Sequence, residues 1–360
     1  MEFLGVISVF IAIGAILSLL INSLLLRFSR TLGIRNKNDV TIRWSNESKP
    51  SLGGIAMFFT FIFSIITYVI LIDQEDVFDN KLIQGFLGAG GLAFLIGITD
   101  DAYNTRPFLK LLGQICCGIL LAFTGSIIQF SYIEWVDALI TIFWVVAIMN
   151  SLNMLDNMDG ITATVSFFIL SACLVADILL TGPAVTSVKI ILVTQLGGLI
   201  GFLRYNLHPS KMFMGDTGSQ FLSLVVSFYS IHYLWNSAAF LEIPAWTGLL
   251  LALAAFSPAA VDTFTVVINR LKKGKSPMVG GKDHTTHHLV YKGLNDFQVW
   301  RIYLLMSIVA FILSAVIIYA MMNESYFLSL LAIPVFLFFF IALYRVTLIY
   351  KAPEQDSESE

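Results

Sequence analysis

Five carboxylates stand where apolar stretches of this chain end. They are Asp100 and Asp101 in GITDDAYNTRP, Asp156 and Asp159 in NSLNMLDNMDG, and Asp216 in KMFMGDTGS. Acids brought from three loops to one face of a greasy protein predict a divalent-cation site that handles phosphate, since hard cations take carboxylate and phosphate oxygens. Asp100 and Asp101 are adjacent and repel, so they need a cation or proton nearby, or else serve as an N-cap pair for the helix that Pro107 starts. Asn150, Asn153 and Asn157 are three and four apart and predict one polar helical face, with Asp156 and Asp159 as neighbours and Gly160 relaxing the backbone after them. Amides and acids gathered at a membrane edge are functional by default. In MGDTGS the two glycines let backbone N–H groups approach an anion while Asp216 holds a metal; a plain turn with an N-cap is the alternative. The segment lacks the GK[ST] of a nucleotide-binding P-loop.

The stretch RLKKGKSPMVGGKDHTTHHLVYKGL carries His284, His287 and His288 behind Lys272, Lys273, Lys275 and Lys282. Helical spacing would cluster the three imidazoles on one face. No cysteine accompanies them, so the lysine-rich context suits phosphate better than zinc. His208 and His232 are isolated and read as structural. Asp262, in SPAAVDTFTVV, lies inside an apolar stretch near its inner end and is kept as a site candidate.

The elements that must position these residues are membrane helices. The chain is 57% hydrophobic and 12% charged, with 30 Phe, and its mean hydropathy is +0.83. A soluble domain carries about twice that share of charge. Eleven apolar stretches stand near the ~20 residues that span a bilayer: about 3–26, 51–72, 82–99, 108–125, 133–150, 161–181, 186–203, 218–235, 245–269, 300–321 and 327–345. Lipid leaves helices as the way to satisfy so much backbone, so the fold class is all-α, a polytopic integral membrane protein of about 11 transmembrane helices. The first stretch lacks a convincing cleavage site and reads as a retained helix. Loops alternate between sides, and one set carries 19 of the 21 Lys and Arg. The positive-inside rule makes that set cytoplasmic, with the N-terminus outside and the C-terminus inside. Residues 1–345 read as a single membrane-embedded domain and 346–360 as an acidic, disordered tail. The three Cys lie in apolar stretches with no disulfide or metal spacing.

Together, DDAYNTRP, NSLNMLDNMDG, MGDTGS and the histidine-bearing loop resemble the polyprenyl-phosphate N-acetylhexosamine-1-phosphate transferases, glycosyltransferase family 4. The order and spacing of the motifs carry the resemblance from KPSLGGIAM, opened by Lys49, to about residue 290. Eleven helices look like the WecA and TagO branch; the related MraY has ten and three consecutive histidines. Two positions depart from the family. Asn157 replaces the first glycine of D-G-x-D-G, and Thr285 stands at the first histidine of H-x-H-H, with His284 displaced by one.

The resemblance implies transfer of a sugar-1-phosphate, first of all GlcNAc-1-phosphate, from a UDP-N-acetylhexosamine to undecaprenyl phosphate, with release of UMP. The setting it implies is the cytoplasmic face of the bacterial inner membrane, at the first membrane step of cell-surface polysaccharide synthesis. It implies Mg²⁺, with Mn²⁺ as a substitute, held by Asp216 and Asp159. Asp100 or Asp101 is expected as base or positioning group, Asp156 and Asp159 at the nucleotide or the metal's water, and His287 and His288 on the pyrophosphate. Lys49, Asn150, Asn153, His284 and Asp262 are expected substrate-binding positions. Expected partners are the two substrates, membrane lipid and a second copy of the chain, without nucleic acid. The rival readings are a phospho-MurNAc-pentapeptide transferase and a secondary transporter. A transporter would place its acids near mid-membrane within a pseudo-symmetric repeat.

Overall fold

A computed structural model describes residues 2–31, 49–72, 77, 79–276 and 281–351. Most of the basic 27–50 loop, the acidic loop after Ile72 and the tail from 352 lie outside the described residues. The rest is helical: α1 Glu2–Thr31, α2 Gly53–Leu71, α3 Lys81–Tyr103, α4 Pro107–Phe123, α5 Glu134–Leu155, α6 Ile161–Thr181, α7 Ser187–Asn206, α8 Gly215–Ser230, α9 Trp246–Lys272, α10 Thr285–Tyr291, α11 Asp296–Met322 and α12 Ala332–Ile349. Among the described residues, nine helices are long and apolar enough to cross a membrane. Each of the eleven expected stretches falls on a helix. α4 is shorter than those nine, and α8 continues through a π-helical turn, Ile231–Trp235. α12 runs four residues past the expected boundary at 345, because Val346–Ile349 remains apolar and Thr347 accepts a hydrogen bond from Asn269 on α9.

α8 is the axis of the bundle. Every residue from Thr217 to Ser230 is buried, so this helix touches protein all round, and its seryl hydroxyls turn back onto the helix's own carbonyls. Aromatic rings lock it to its neighbours: Phe228 stacks on Phe86 of α3 at 3.9 Å, and Phe221 meets Phe61 of α2 at 5.4 Å.

Without a hydrophobic force between helices in lipid, close backbone approach through small residues holds such bundles together. A Cβ on Gly54 of α2 would stand 2.1 Å from the Gly218 nitrogen, and one on Gly97 of α3 would stand 2.4 Å from the Thr217 Cα. These two contacts seat α2 and α3 against the first turn of α8. The chain entering α2 is stitched to the chain entering α8 by a short parallel pairing: Phe213 N–H donates to the Pro50 carbonyl and Gly53 N–H to that of Phe213. KPSLGG and MFMGD therefore form one piece of structure.

α9 carries Pro258 in its interior, which removes one backbone donor. The Ser257 hydroxyl lies 2.8 Å and 2.9 Å from the Leu253 and Ala254 carbonyls, satisfying the oxygen the proline strands.

Candidate active site

A cavity of about 1200 Å³ opens between α3, α4, α5, α9 and the turns at one end of the bundle. All five expected acids line it, with Lys49, Asn150, Asn153, His284 and His287. The cavity has two unlike parts. One is polar and holds these groups. The other runs along α5 and α9 and is walled by Phe143, Trp144, Ile148, Leu253, Phe256 and Phe264.

The acids do different jobs. Asp101 Oδ2 accepts the Thr217 N–H at 2.8 Å and its hydroxyl at 2.6 Å, and Oδ1 accepts the Asp216 N–H at 3.1 Å. A carboxylate from α3 thus caps the N-terminus of α8, where free N–H groups and the helix dipole favour negative charge. Gly215 makes room for it. Its φ is +74°, and a Cβ there would stand 2.8 Å from Asp101 Oδ2. Asp100 turns the other way, accepting from Thr105 N–H and hydroxyl at 2.9 and 2.6 Å and from Lys110 at 2.7 Å.

Lys110 lies within the basic inner loops and is not singled out by any sequence motif. Its Nζ sits 2.7 Å from Asp100 and 2.8 Å from Asp216, with Asn153 Oδ1 at 3.3 Å. Asn153 in turn donates to Asp216 Oδ1 and to Ser219, both at 2.7 Å. Gln114, also unmarked in the sequence, accepts from Asn150 at 2.7 Å and donates to Gln220 at 3.0 Å. The one available signal was spacing: Lys110 and Gln114 lie four apart on α4, a single polar stripe on an apolar helix.

The expectation of one helical face over 150–160 holds only in part. α5 ends at Leu155. Asn157 folds its amide back onto the Met154 carbonyl, and Gly160 takes φ +75°. Asn150 and Asn153 share the helix, while the residues after 155 form a turn. Asp159 accordingly meets the segment around Ser210. It accepts from Ser210 N–H at 3.1 Å and from the Ser210 hydroxyl at 2.7 Å, and has His208 at 3.3 Å and Lys49 at 4.0 Å. This places His208, expected to be structural, on the cavity wall. His232 is a core residue, packed on Phe228 and 3.2 Å from Ser126.

Asp156 stands beside other acids. Burial, then the charges of Asp216, Asp101 and Asp159, push its carboxyl up to about 8. Lys110 stands against Asp100 and Asp216, and a cation placed near Asp156 would relieve the remaining repulsion. Among the described residues, no group of three or more His, Cys, Asp or Glu side chains is placed to hold a metal ion. Mg²⁺, the ion expected from the sequence, takes one or two carboxylates and fills its shell with water and substrate phosphate. Asp216 and Asp156, both on the cavity wall, could hold it, and the expected ligand Asp159 lines the same cavity while accepting from Ser210.

The histidines divide. His284 and His287 line the cavity with their rings 5.4 Å apart. Burial, then His284, pushes His287 down to about 3, so its ring is neutral. His288, expected beside it, lies on the far side of α10 and bonds through Nδ1 to the Tyr350 carbonyl at the end of α12. Arg270 also lines the cavity and forms a fork with Asp283 at 2.8 and 2.7 Å.

Comparison with known proteins agrees with the motifs. Residues 83–234 match the model of glycosyl transferase family 4. A probable undecaprenyl-phosphate N-acetylglucosaminyl 1-phosphate transferase of Bacillus subtilis is 27% identical over 308 residues, covering 83% of this chain and 80% of that protein. A decaprenyl-phosphate N-acetylglucosaminephosphotransferase of Mycolicibacterium smegmatis is 28% identical over 297 residues, 74% of this chain and 71% of that one. A phospho-N-acetylmuramoyl-pentapeptide-transferase of a Thermoanaerobacter species is 28% identical over 285 residues, 74% and 83%.

Proposed function

We propose that the chain, whose residues 83–234 match glycosyl transferase family 4, transfers an N-acetylhexosamine-1-phosphate from a UDP-sugar to undecaprenyl phosphate, releasing UMP. N-acetylglucosamine is the first choice of sugar. The observation that carries the reading is the two-part cavity: a wall of carboxylates, lysine and imidazoles continuous with an apolar groove between α5 and α9. A lipid phosphate has the same two parts. Its chain suits the groove, and its headgroup would then meet the polar end. The names of the relatives support both a polyprenyl acceptor and a sugar-phosphate donor.

In this reaction a lipid-phosphate oxygen attacks the β-phosphorus of the UDP-sugar. The bond from that phosphorus to the α–β bridging oxygen breaks, and UMP leaves with that oxygen. A Mg²⁺ at Asp216 and Asp156 would neutralise charge gathering on the phosphate oxygens. Asp101 holds the first turn of α8 so that Asp216 faces the cavity. Lys110 keeps the Asp100 and Asp216 carboxylates together. A phosphate monoester has its second pKa near ~6 and is mostly dianionic at neutral pH. It needs no base, so Asp100 and Asp101 are assigned to positioning. The active site faces the cytoplasm, where nucleotide sugars are made, and the product feeds cell-surface polysaccharide synthesis.

The test is purified protein with Mg²⁺, undecaprenyl phosphate and a panel of UDP-sugars that includes UDP-N-acetylmuramoyl-pentapeptide. UMP release with UDP-N-acetylglucosamine is the expected result. Release of UDP, or of neither nucleotide with any donor, would sink the reading.

A further inference from the structure

His284 precedes α10 with an extended backbone and makes no cap of its own. Its Nδ1 lies 2.9 Å from Oδ2 of Asp262, a wholly buried residue of α9. The other oxygen of Asp262 accepts the Thr285 N–H at 2.9 Å and the Thr285 hydroxyl at 2.5 Å. That hydroxyl also meets the Tyr303 hydroxyl of α11 at 2.5 Å. An acid from one helix therefore caps the start of another and grips the imidazole beside the cap.

The chemistry of the grip sets the ring. An ionised carboxylate only accepts hydrogen bonds, so His284 Nδ1 carries its proton toward Asp262, and Nε2 is the nitrogen left for a ligand. A buried carboxylate must have its oxygens satisfied by protein, and here the imidazole and Thr285 do so. The grip also decides which residues of HTTHH reach the cavity. Thr285 is fully buried against Asp262 and Tyr303. Thr286 donates to Asn157 at 2.7 Å. His288 points to Tyr350. His284 and His287 alone of the five line the cavity.

We propose that Asp262 is a positioning residue that fixes His284 as a phosphate-facing imidazole of the donor site, with Thr285 turned inward as part of the clamp. The displaced histidine of this chain is thus a working side chain. The proposal rests on the transferase reading for the identity of the ligand as a nucleotide-sugar pyrophosphate.

The experiment compares His284→Ala, Asp262→Asn, the double variant and Thr285→Val in the full-length protein. Each is followed by UMP release and by thermal unfolding. His284→Ala and Asp262→Asn should each raise the donor KM about tenfold, roughly the loss of one hydrogen bond to a charged group, and leave the acceptor KM within twofold. The double variant should be no worse than the poorer single, because Asp262 acts through His284. Thr285→Val should lower Tm and, by loosening Asp262, raise the donor KM by less than His284→Ala does. Additive losses in the double variant, or unchanged donor KM in His284→Ala, would overturn the proposal. If Asp262→Asn does not fold, the contrast between His284→Ala and Thr285→Val decides, and equal donor KM in those two overturns it. A wild-type protein that releases no UMP would defeat the transferase reading. The clamp is then read by the Tm rise with inorganic pyrophosphate, which should be present in wild type and lost in both His284→Ala and Asp262→Asn. Equal rises in all variants, or no rise in wild type, would overturn the proposal as well.

Discussion

Lys110 Nζ lies 2.8 Å from Asp216 Oδ1 and ties α4 to the first turn of α8. The ammonium also holds Asp100, so two carboxylates depend on one cation. Removing one partner from such a half-buried pair leaves uncompensated charge and costs about 3 kcal/mol or more. Lys110→Gln should therefore lower Tm, and should lower kcat/KM roughly tenfold to a hundredfold, the scale for losing a partner that orients a metal-binding carboxylate. Steady-state UMP release checks this, and near-wild-type turnover would remove Lys110 from the site.

Asp216→Asn should abolish turnover while the protein still elutes as a folded species. An amide cannot replace a carboxylate's charge toward Mg²⁺. The loss should exceed the ~100-fold seen when only an outer-shell partner of a metal is removed. A Mg²⁺ titration of UMP release distinguishes the cases. A variant restored by high Mg²⁺ would show that Asp216 is not indispensable to the metal.

The helices and the acids were legible in the sequence for physical reasons. Lipid tolerates few backbone solutions, so long apolar runs announce helices, and acids that break such runs announce their ends. Asp100, Asp101, Asp156, Asp159 and Asp216 do line one cavity. Their division of labour was not legible. Asp101 caps a helix 115 residues away, and the end of α5 at Leu155 turns Asp159 toward Ser210. Both depend on contacts between segments distant in sequence. Lys110 and Gln114 were hidden because a cation near a helix end is also an ordinary topology signal. His287 and His288 could not be told apart, since α10 turns these neighbouring histidines to different sides.

His287 makes stability depend on pH. Its folded-state pKa is about 3 against 6.5 for the ordinary imidazole, so the unfolded chain binds the extra proton between those values. The contribution is fully present above pH 6.5 and is lost as pH falls from 6.5 toward 3. Thermal unfolding of the wild type should therefore weaken on acidification through that window, and His287→Asn should flatten part of the slope. Equal slopes in the two proteins would refute a buried neutral ring.

Topology can be read with single cysteines in a Cys-free background. Lys275 and Glu324 are both exposed and lie at the ends of different helices. The charge asymmetry predicts that position 275 labels only from the cytoplasm and position 324 only from outside. Thr285 is a poor probe despite its place in the basic loop, because it is fully buried. Outside labelling at 275 would reverse the placement of the whole site.

The groove between α5 and α9 gives a prediction specific to the acceptor. Ala147 stands on its wall between Trp144 and Ile148, opposite the α9 residues Leu253 and Phe256. Ala147→Trp would put a large ring into space that the lipid chain is proposed to use. Filling that space should raise the undecaprenyl-phosphate KM about tenfold, the scale of 1.4 kcal/mol or roughly two buried methylenes, and leave the donor KM unchanged. A short-chain prenyl phosphate, which fills less of the groove, should be penalised less. Trp144 gives the counter-test: its Nε1 donates to Ser230 at 2.9 Å, so Trp144→Phe keeps most of the apolar wall and should spare the acceptor KM while lowering Tm. If Ala147→Trp instead raises the donor KM, or penalises long and short acceptors alike, the groove is not where the lipid chain lies.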